Sequence, residues 1–241
     1  MEFQQNNKMR LCVIMPIFNE QESIHKTAEE WLKEIRSLDN IAFVLYLIDD
    51  GSKDNTLKII NDLKKNNPEV VVYSRPNKGH GASCLDGYRF AAENSFDLIL
   101  QLDSDGQCDP KYFKKFVEHL NHGWDAVYGL RFYRKDGLIR YWVSRILSLA
   151  AWGRTGIWFF DPNVPYRLFK TETIAYALPK VNNITLVNVW LALHHKKNSK
   201  IKFVPIVFRD RWGGSPTVKM GGLWKWGVQF WREFGQRSLP L

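Results

Sequence analysis

Asp103 and Asp105, two carboxylates spaced i and i+2 and followed by Gln107, are the sharpest chemical signal in the chain. They come directly after a short β-type run, 98–102. Oxygen ligands placed this way can reach one hard divalent cation, Mg²⁺ or Mn²⁺, and leave positions on it open for phosphate oxygens. Such a cation would stabilise a departing diphosphate as negative charge builds on it. An Asp-x-Asp alone also describes an ordinary acidic turn, so its place at a strand end carries the weight.

A second acidic pair, Asp49-Asp50, closes another β-rich run, 41–48. Paired acids at a strand end can accept hydrogen bonds from ribose hydroxyls or a base N–H. They can equally cap the next helix through Asp50, Ser52 or Asp54. A dinucleotide site is disfavoured. Gly79-His80-Gly81-Ala82-Ser83-Cys84 breaks the glycine fingerprint at its third position and follows the third strand instead of the first. His119 and His122 share a helix face without a third ligand, and His194-His195 are adjacent, so the histidines read as structural or solvated. The three cysteines are odd in number and lack ligand spacing, which suits a reducing compartment.

The elements that must position these groups alternate. Strands are expected at 11–17, 41–48, 70–73 and 98–102, and helices after the first three. Ile24, Ala28, Trp31, Leu32, Ile35 and Leu38 share one helix face, and Asn19 with Glu22 resembles a capping box before it. Leu57, Ile60 and Leu63 mark the second helix, and the third runs from about 82 to 93. Such alternation predicts a parallel sheet covered by helices, with ligands beyond the strand carboxyl ends. Both acidic clusters fall there. The second half is less regular: a helix around Tyr112–Leu120, strands at 126–130 and 202–208, an apolar-aromatic stretch at 137–160, and an aromatic helix-like stretch at 223–234.

A net charge of +9 favours anionic partners, and ten Trp set among Lys and Arg narrow these towards a membrane interface instead of nucleic acid. No signal peptide or spanning helix is expected, which places the chain in the cytoplasm, peripheral on the membrane face.

Four motifs in order then resemble one family. Val13-Ile14-Met15-Pro16-Ile17-Phe18-Asn19-Glu20, Asp49-Asp50-Gly51-Ser52-x-Asp54, Asn77-x-Gly79-x-Gly81-Ala82 and Asp103-x-Asp105-x-Gln107-x-x-Pro110 are similar to the family 2 glycosyltransferases, and most similar to the polyprenyl-phosphate sugar synthases. The resemblance implies the α/β GT-A fold, a mixed, mostly parallel central sheet with helices on both faces. It implies a nucleotide-diphosphate sugar donor, GDP- or UDP-linked, lined by Pro16, Phe18, Asn19, Glu20, Asp50 and Gly79, with metal at Asp103, Asp105 and Gln107. It further implies an inverting transfer to a polyprenyl phosphate gripped by Arg131, Arg140, Ser144 and Arg211, Arg131 also serving catalysis. The family's Asp-x-x-Ser-Gly-Phe-Arg segment is half kept at 161–167, and the late motif after Arg211 is one residue short.

The acceptor can also be argued physically. A sugar hydroxyl needs a general base, and 182–190, where hydroxyl-modifying relatives carry an acidic pair, holds no carboxylate. A phosphate acceptor is already anionic and needs cations instead. The expected organisation is a catalytic domain, 1–215, with a nucleotide-binding half at about 9–107 and an acceptor half at about 108–215. A basic aromatic appendage, 216–241, would lie at the membrane. A membrane-protein partner or a homo-oligomer would suit a chain without its own anchor. The competing expectations are a transferase acting on a saccharide hydroxyl, a nucleotidyltransferase, and a non-catalytic membrane-docking subunit.

Overall fold

The structure is a computed structural model that describes residues 8–133, 148–149, 152–153, 155–159, 161–182, 184–213 and 233. The first half builds strand–helix units in the expected order: β1 (Met9–Ile17), α1 (Ile24–Arg36), β2 (Ile41–Asp49), α2 (Thr56–Asn66), β3 (Val70–Ser74), α3 (His80–Glu93) and β4 (Leu98–Gln101). Then come α4 (Phe113–Asn121), β5 (Ala126–Tyr133), β6 (Arg167–Lys170), α5 (Val187–Asn198) and β7 (Ile201–Val207).

Seven strands make one sheet in the order β3-β2-β1-β4-β6-β5-β7. β1 pairs in parallel with both β2 and β4, β2 with β3, and β5 with β7, while β6 runs antiparallel to β4 and β5. This is the mixed, mostly parallel sheet that was expected. Residues 11–15 of β1 are completely buried, as a central strand with helices on both faces requires. Because β6 is reversed, the carboxyl ends of β1, β2, β4, β5 and β7 share one rim with the amino end of β6.

Helix α1 does not open with the expected capping box. Asn19 sits in a left-handed conformation (φ 55°), and its side chain is drawn off to accept from the Lys53 N–H at 2.8 Å. The helix instead begins at Ile24, and the N–H groups of Ser23 and Ile24 both donate to the Glu20 carbonyl. Asp54 does serve the entry to α2, accepting from the Thr56 N–H at 3.0 Å. β6 and α5 were not anticipated, and α3 starts two residues earlier than expected, at His80.

Candidate active site

Three loops meet on the rim. The first leaves β1 and carries Asn19 and Glu20; the second leaves β4 and carries Asp103, Asp105 and Gln107. The third is a strap, 208–213, that follows β7 and lies along the second: Arg209 N–H donates to the Gln107 carbonyl at 3.0 Å, and Trp212 N–H to the Asp105 carbonyl at 3.2 Å. Gly106 makes this close approach feasible. Its φ is +79°, and a Cβ there would come within 2.5 Å of the Trp212 ring. Lys26 lies over the same indole at 4.1 Å and Arg209 at 4.7 Å.

The acidic loop is braced from below. The Ser104 carbonyl accepts from Ser23 Oγ at 3.1 Å and from Thr27 Oγ1 at 3.2 Å, fixing it to α1. Asp105 Oδ1 accepts from the Gln107 N–H at 3.1 Å, and Oδ2 lies 3.8 Å from the Arg211 guanidinium. Arg211 also forms an ion pair with Glu20, whose other oxygen accepts from Ser23 Oγ at 2.8 Å. Burial, and then the neighbouring charge of Asp103, push the Asp105 carboxyl up to about 6; burial likewise raises Glu20. Carboxylates crowded this way favour a cation between them, and their oxygens are the hard donors that Mg²⁺ or Mn²⁺ prefers. The donor set fits such an ion. Among the described residues no group of three or more His, Cys, Asp and Glu is placed to hold a metal ion. Two carboxylates are enough for a cation that completes its shell with phosphate and water. Gln107 turns its amide nitrogen towards the Arg209 carbonyl at 3.4 Å.

The other donor-side residues line the same rim. Pro16, at the end of β1, is buried beside Ile48 of β2, Phe18 is half-buried, and Gly79 precedes α3 with φ +91°. Asp50 is 3% exposed and turned towards the loop before α3: Oδ1 accepts from Arg75 and from the Lys78 N–H at 2.9 Å, and Oδ2 from the Gly79 N–H at 2.8 Å. Its first task is therefore to hold that loop. Asp49 is occupied by the Ser52 N–H at 3.1 Å and Ser74 Oγ at 2.7 Å.

Of the residues expected to hold the acceptor, Arg131 grips Asp161 in a bidentate pair at 2.6 and 2.8 Å, with its guanidinium 5.3 Å from the Phe208 ring. Arg167, completely buried, donates to the carbonyls of Val164, Pro162 and Asn188 at 2.6, 2.8 and 2.9 Å. These two arginines order the half-kept segment 161–167. Arg140 and Ser144, the other acceptor-side expectations, lie outside the described residues.

A polar cluster that sequence reasoning missed faces the first turn of α5. Asn188 Oδ1 accepts from Gln101 Nε2 at 2.8 Å, and Gln101 is oriented in turn by the Tyr88 hydroxyl. The Asn188 amide nitrogen thus faces Asn163 Oδ1 at 3.3 Å and His80 Nε2 at 3.5 Å. His80 keeps contact with solvent, and the same Nε2 lies 3.4 Å from the Cys84 sulfur. Its place in Gly79-His80-Gly81, at the end of the loop that follows β3, was the available signal.

The Glycosyl transferase family 2 sequence profile matches residues 12–181. The chain is 29% identical over 166 residues to the undecaprenyl-phosphate 4-deoxy-4-formamido-L-arabinose transferase of Pseudomonas paraeruginosa, a match covering 68% of this chain and 48% of that one. The Pseudomonas aeruginosa enzyme of that name is 28% identical over the same length. The chain therefore spans about half the length of the curated relatives it matches. Among solved structures, glucosyl-3-phosphoglycerate synthase from Mycobacterium tuberculosis in complex with Mn²⁺, uridine diphosphate and glucosyl-3-phosphoglycerate superimposes with a TM-score of 0.68 at 19% identity, covering 94% of this chain and 80% of that one. The complex of that synthase with uridine diphosphate gives 0.65 at 18% identity. The fold is the GT-A type. The chain belongs to glycosyl transferase family 2.

Proposed function

We propose that this chain transfers a sugar from a nucleotide-diphosphate donor to a polyprenyl phosphate at a membrane surface. The observation that carries the acceptor choice is the start of α5. The polar side chain in the first turn there is Asn188, buried against His80 and Asn163, an amide that cannot take a proton from a sugar hydroxyl. Glu233, the carboxylate that reaches this helix start, is turned to backbone N–H groups. A phosphate acceptor needs no base. The names of the curated relatives, undecaprenyl-phosphate transferases, support the same class of acceptor.

Asp103 and Asp105 would hold Mg²⁺ or Mn²⁺, with Gln107 beside them, and solved structures of this fold contain Mn²⁺. A bound cation of this kind neutralises charge on the departing nucleoside diphosphate. Glu20 and Asp105 hold Arg211 at the rim, where its guanidinium can meet phosphate oxygens, and Asp161 holds Arg131 rigid on the acceptor side. The acceptor phosphate would attack the anomeric carbon opposite the leaving diphosphate and invert it.

Among the described residues no helix is long and apolar enough to cross a membrane. Leu149 and Trp152 are 53% and 54% exposed, as residues seated in a lipid interface would be. The test is incubation of the protein with membrane lipid extract, Mn²⁺ or Mg²⁺ and labelled nucleotide sugars. An organic-soluble, mild-acid-labile product supports the proposal. An aqueous oligosaccharide product overturns it in favour of a saccharide hydroxyl acceptor.

A further inference from the structure

Helix α5 starts without a cap of its own, because its N-cap is Leu186, which has no polar side-chain atom. The missing acceptor comes from much further along the chain. Glu233 Oε1 accepts from the Thr185 N–H at 2.7 Å, and Oε2 accepts from the Leu186 N–H at 3.0 Å. The carboxylate also lies at the positive end of the helix dipole. The partners are 48 and 47 residues apart in sequence, so this is a tertiary clamp and not a local turn.

The bend it grips is tightly constrained. A Cβ on Gly81 would meet the carbonyl oxygens of Thr185 and Ile184 at 2.4 and 2.7 Å, so the bend rests directly on the first turn of α3. Arg89, further along α3, donates to the Val181 carbonyl at 2.8 Å. Two residues beyond the clamp comes Asn188, whose amide faces His80 and Asn163. A shift of the bend would pass straight into that contact.

We propose that Glu233 is a positioning residue for sugar transfer: acting through the bend at 184–186, it holds Asn188 in register with His80 and Asn163. The inference rests on the reading of this cleft as the transfer site. It makes Glu233, which lies beyond the family match at 12–181, part of the working enzyme.

The test uses the full chain and the variants E233A, E233Q, N188A and E233A/N188A. Backbone amide exchange at Thr185 and Leu186 should quicken at least tenfold in E233A; unchanged exchange would refute the clamp whatever the acceptor. Turnover should fall about tenfold in E233A, the loss expected of a small misplacement in a preorganised site. UDP–Mn²⁺ should bind E233A as it binds wild type. E233Q, which keeps one oxygen acceptor, should recover part of the rate. The double variant should be no slower than N188A alone, since both changes act on one contact. Multiplied losses, or a lower melting temperature with turnover intact, overturn the proposal. Turnover is read as nucleoside diphosphate released, with and without polyprenyl phosphate. The outcome therefore stands even if the lipid proves to be the wrong acceptor.

Discussion

Arg211 and Glu20 stand 191 residues apart in sequence, and their side chains form an ion pair that ties the strap after β7 to the loop after β1. The same guanidinium lies 3.8 Å from Asp105, so one arginine offsets charge on two of the carboxylates that crowd the rim.

Replacing Arg211 by Ala should therefore loosen the strap and leave Glu20 and Asp105 to repel each other. Steady-state kinetics should show the donor KM rising at least tenfold. Arg211→Lys should not rescue it, because a single ammonium cannot reproduce the fork that reaches both acids.

Asp105→Asn separates function from stability. Transfer should drop by about a hundredfold or more, as expected on losing a ligand that supports leaving-group charge. The melting temperature should nevertheless rise. Burial and Asp103 both disfavour the ionised Asp105 carboxylate, and a shift from 3.8 to about 6 corresponds to a penalty of about 3 kcal/mol at neutral pH. A calorimetric scan finding the variant less stable than wild type would contradict this account of the site.

Arg167 is buried completely and satisfies three carbonyls, one of them on Asn188. Arg167→Met should cost about 3 kcal/mol or more in urea denaturation, since each orphaned buried acceptor costs about 1–3 kcal/mol. Arg131→Met, by contrast, should weaken the segment 161–167 mainly at its first residue.

His195 makes stability depend on pH. Thr173 Oγ1 donates to the Lys170 carbonyl at 2.6 Å, so it accepts from His195 Nε2–H at 2.8 Å, and Nδ1 accepts from the Tyr128 hydroxyl at 2.8 Å. The ring is thus held neutral, and burial depresses its pKa well below the ordinary 6.5. The unfolded chain binds a proton that the folded chain refuses, so stability should fall as pH drops below about 6.5. His195→Gln should be less stable at pH 7.5 yet lose less than wild type between pH 7 and pH 5, which urea titrations at each pH would show.

How legible these features were depended on whether the signal was local. β1, β2 and β4 stood out as apolar runs, the last two ending in acids, and Asp103 and Asp105 as a tight motif beyond one of them. β6 was hidden because it has four residues and opens with a buried arginine. α5 was hidden for the opposite reason: residues 187–195 are buried on every side, so no polar stripe marks a helical period. The Arg211–Glu20 pair and the His80–Asn188 contact, the latter bridging 108 residues, exist only once the sheet is assembled. Glu233 lay in a stretch whose aromatic residues pointed to a lipid surface, with nothing local to link it to Thr185.

The reversed β6 strand has one more consequence. β5 runs towards the rim that carries Asp103 and β6 runs away from it, so the chain leaves the sheet at that rim after Tyr133 and re-enters it from the same rim at Arg167. Because β5 and β6 are neighbours in the sheet, the length of chain joining them can change without altering strand order.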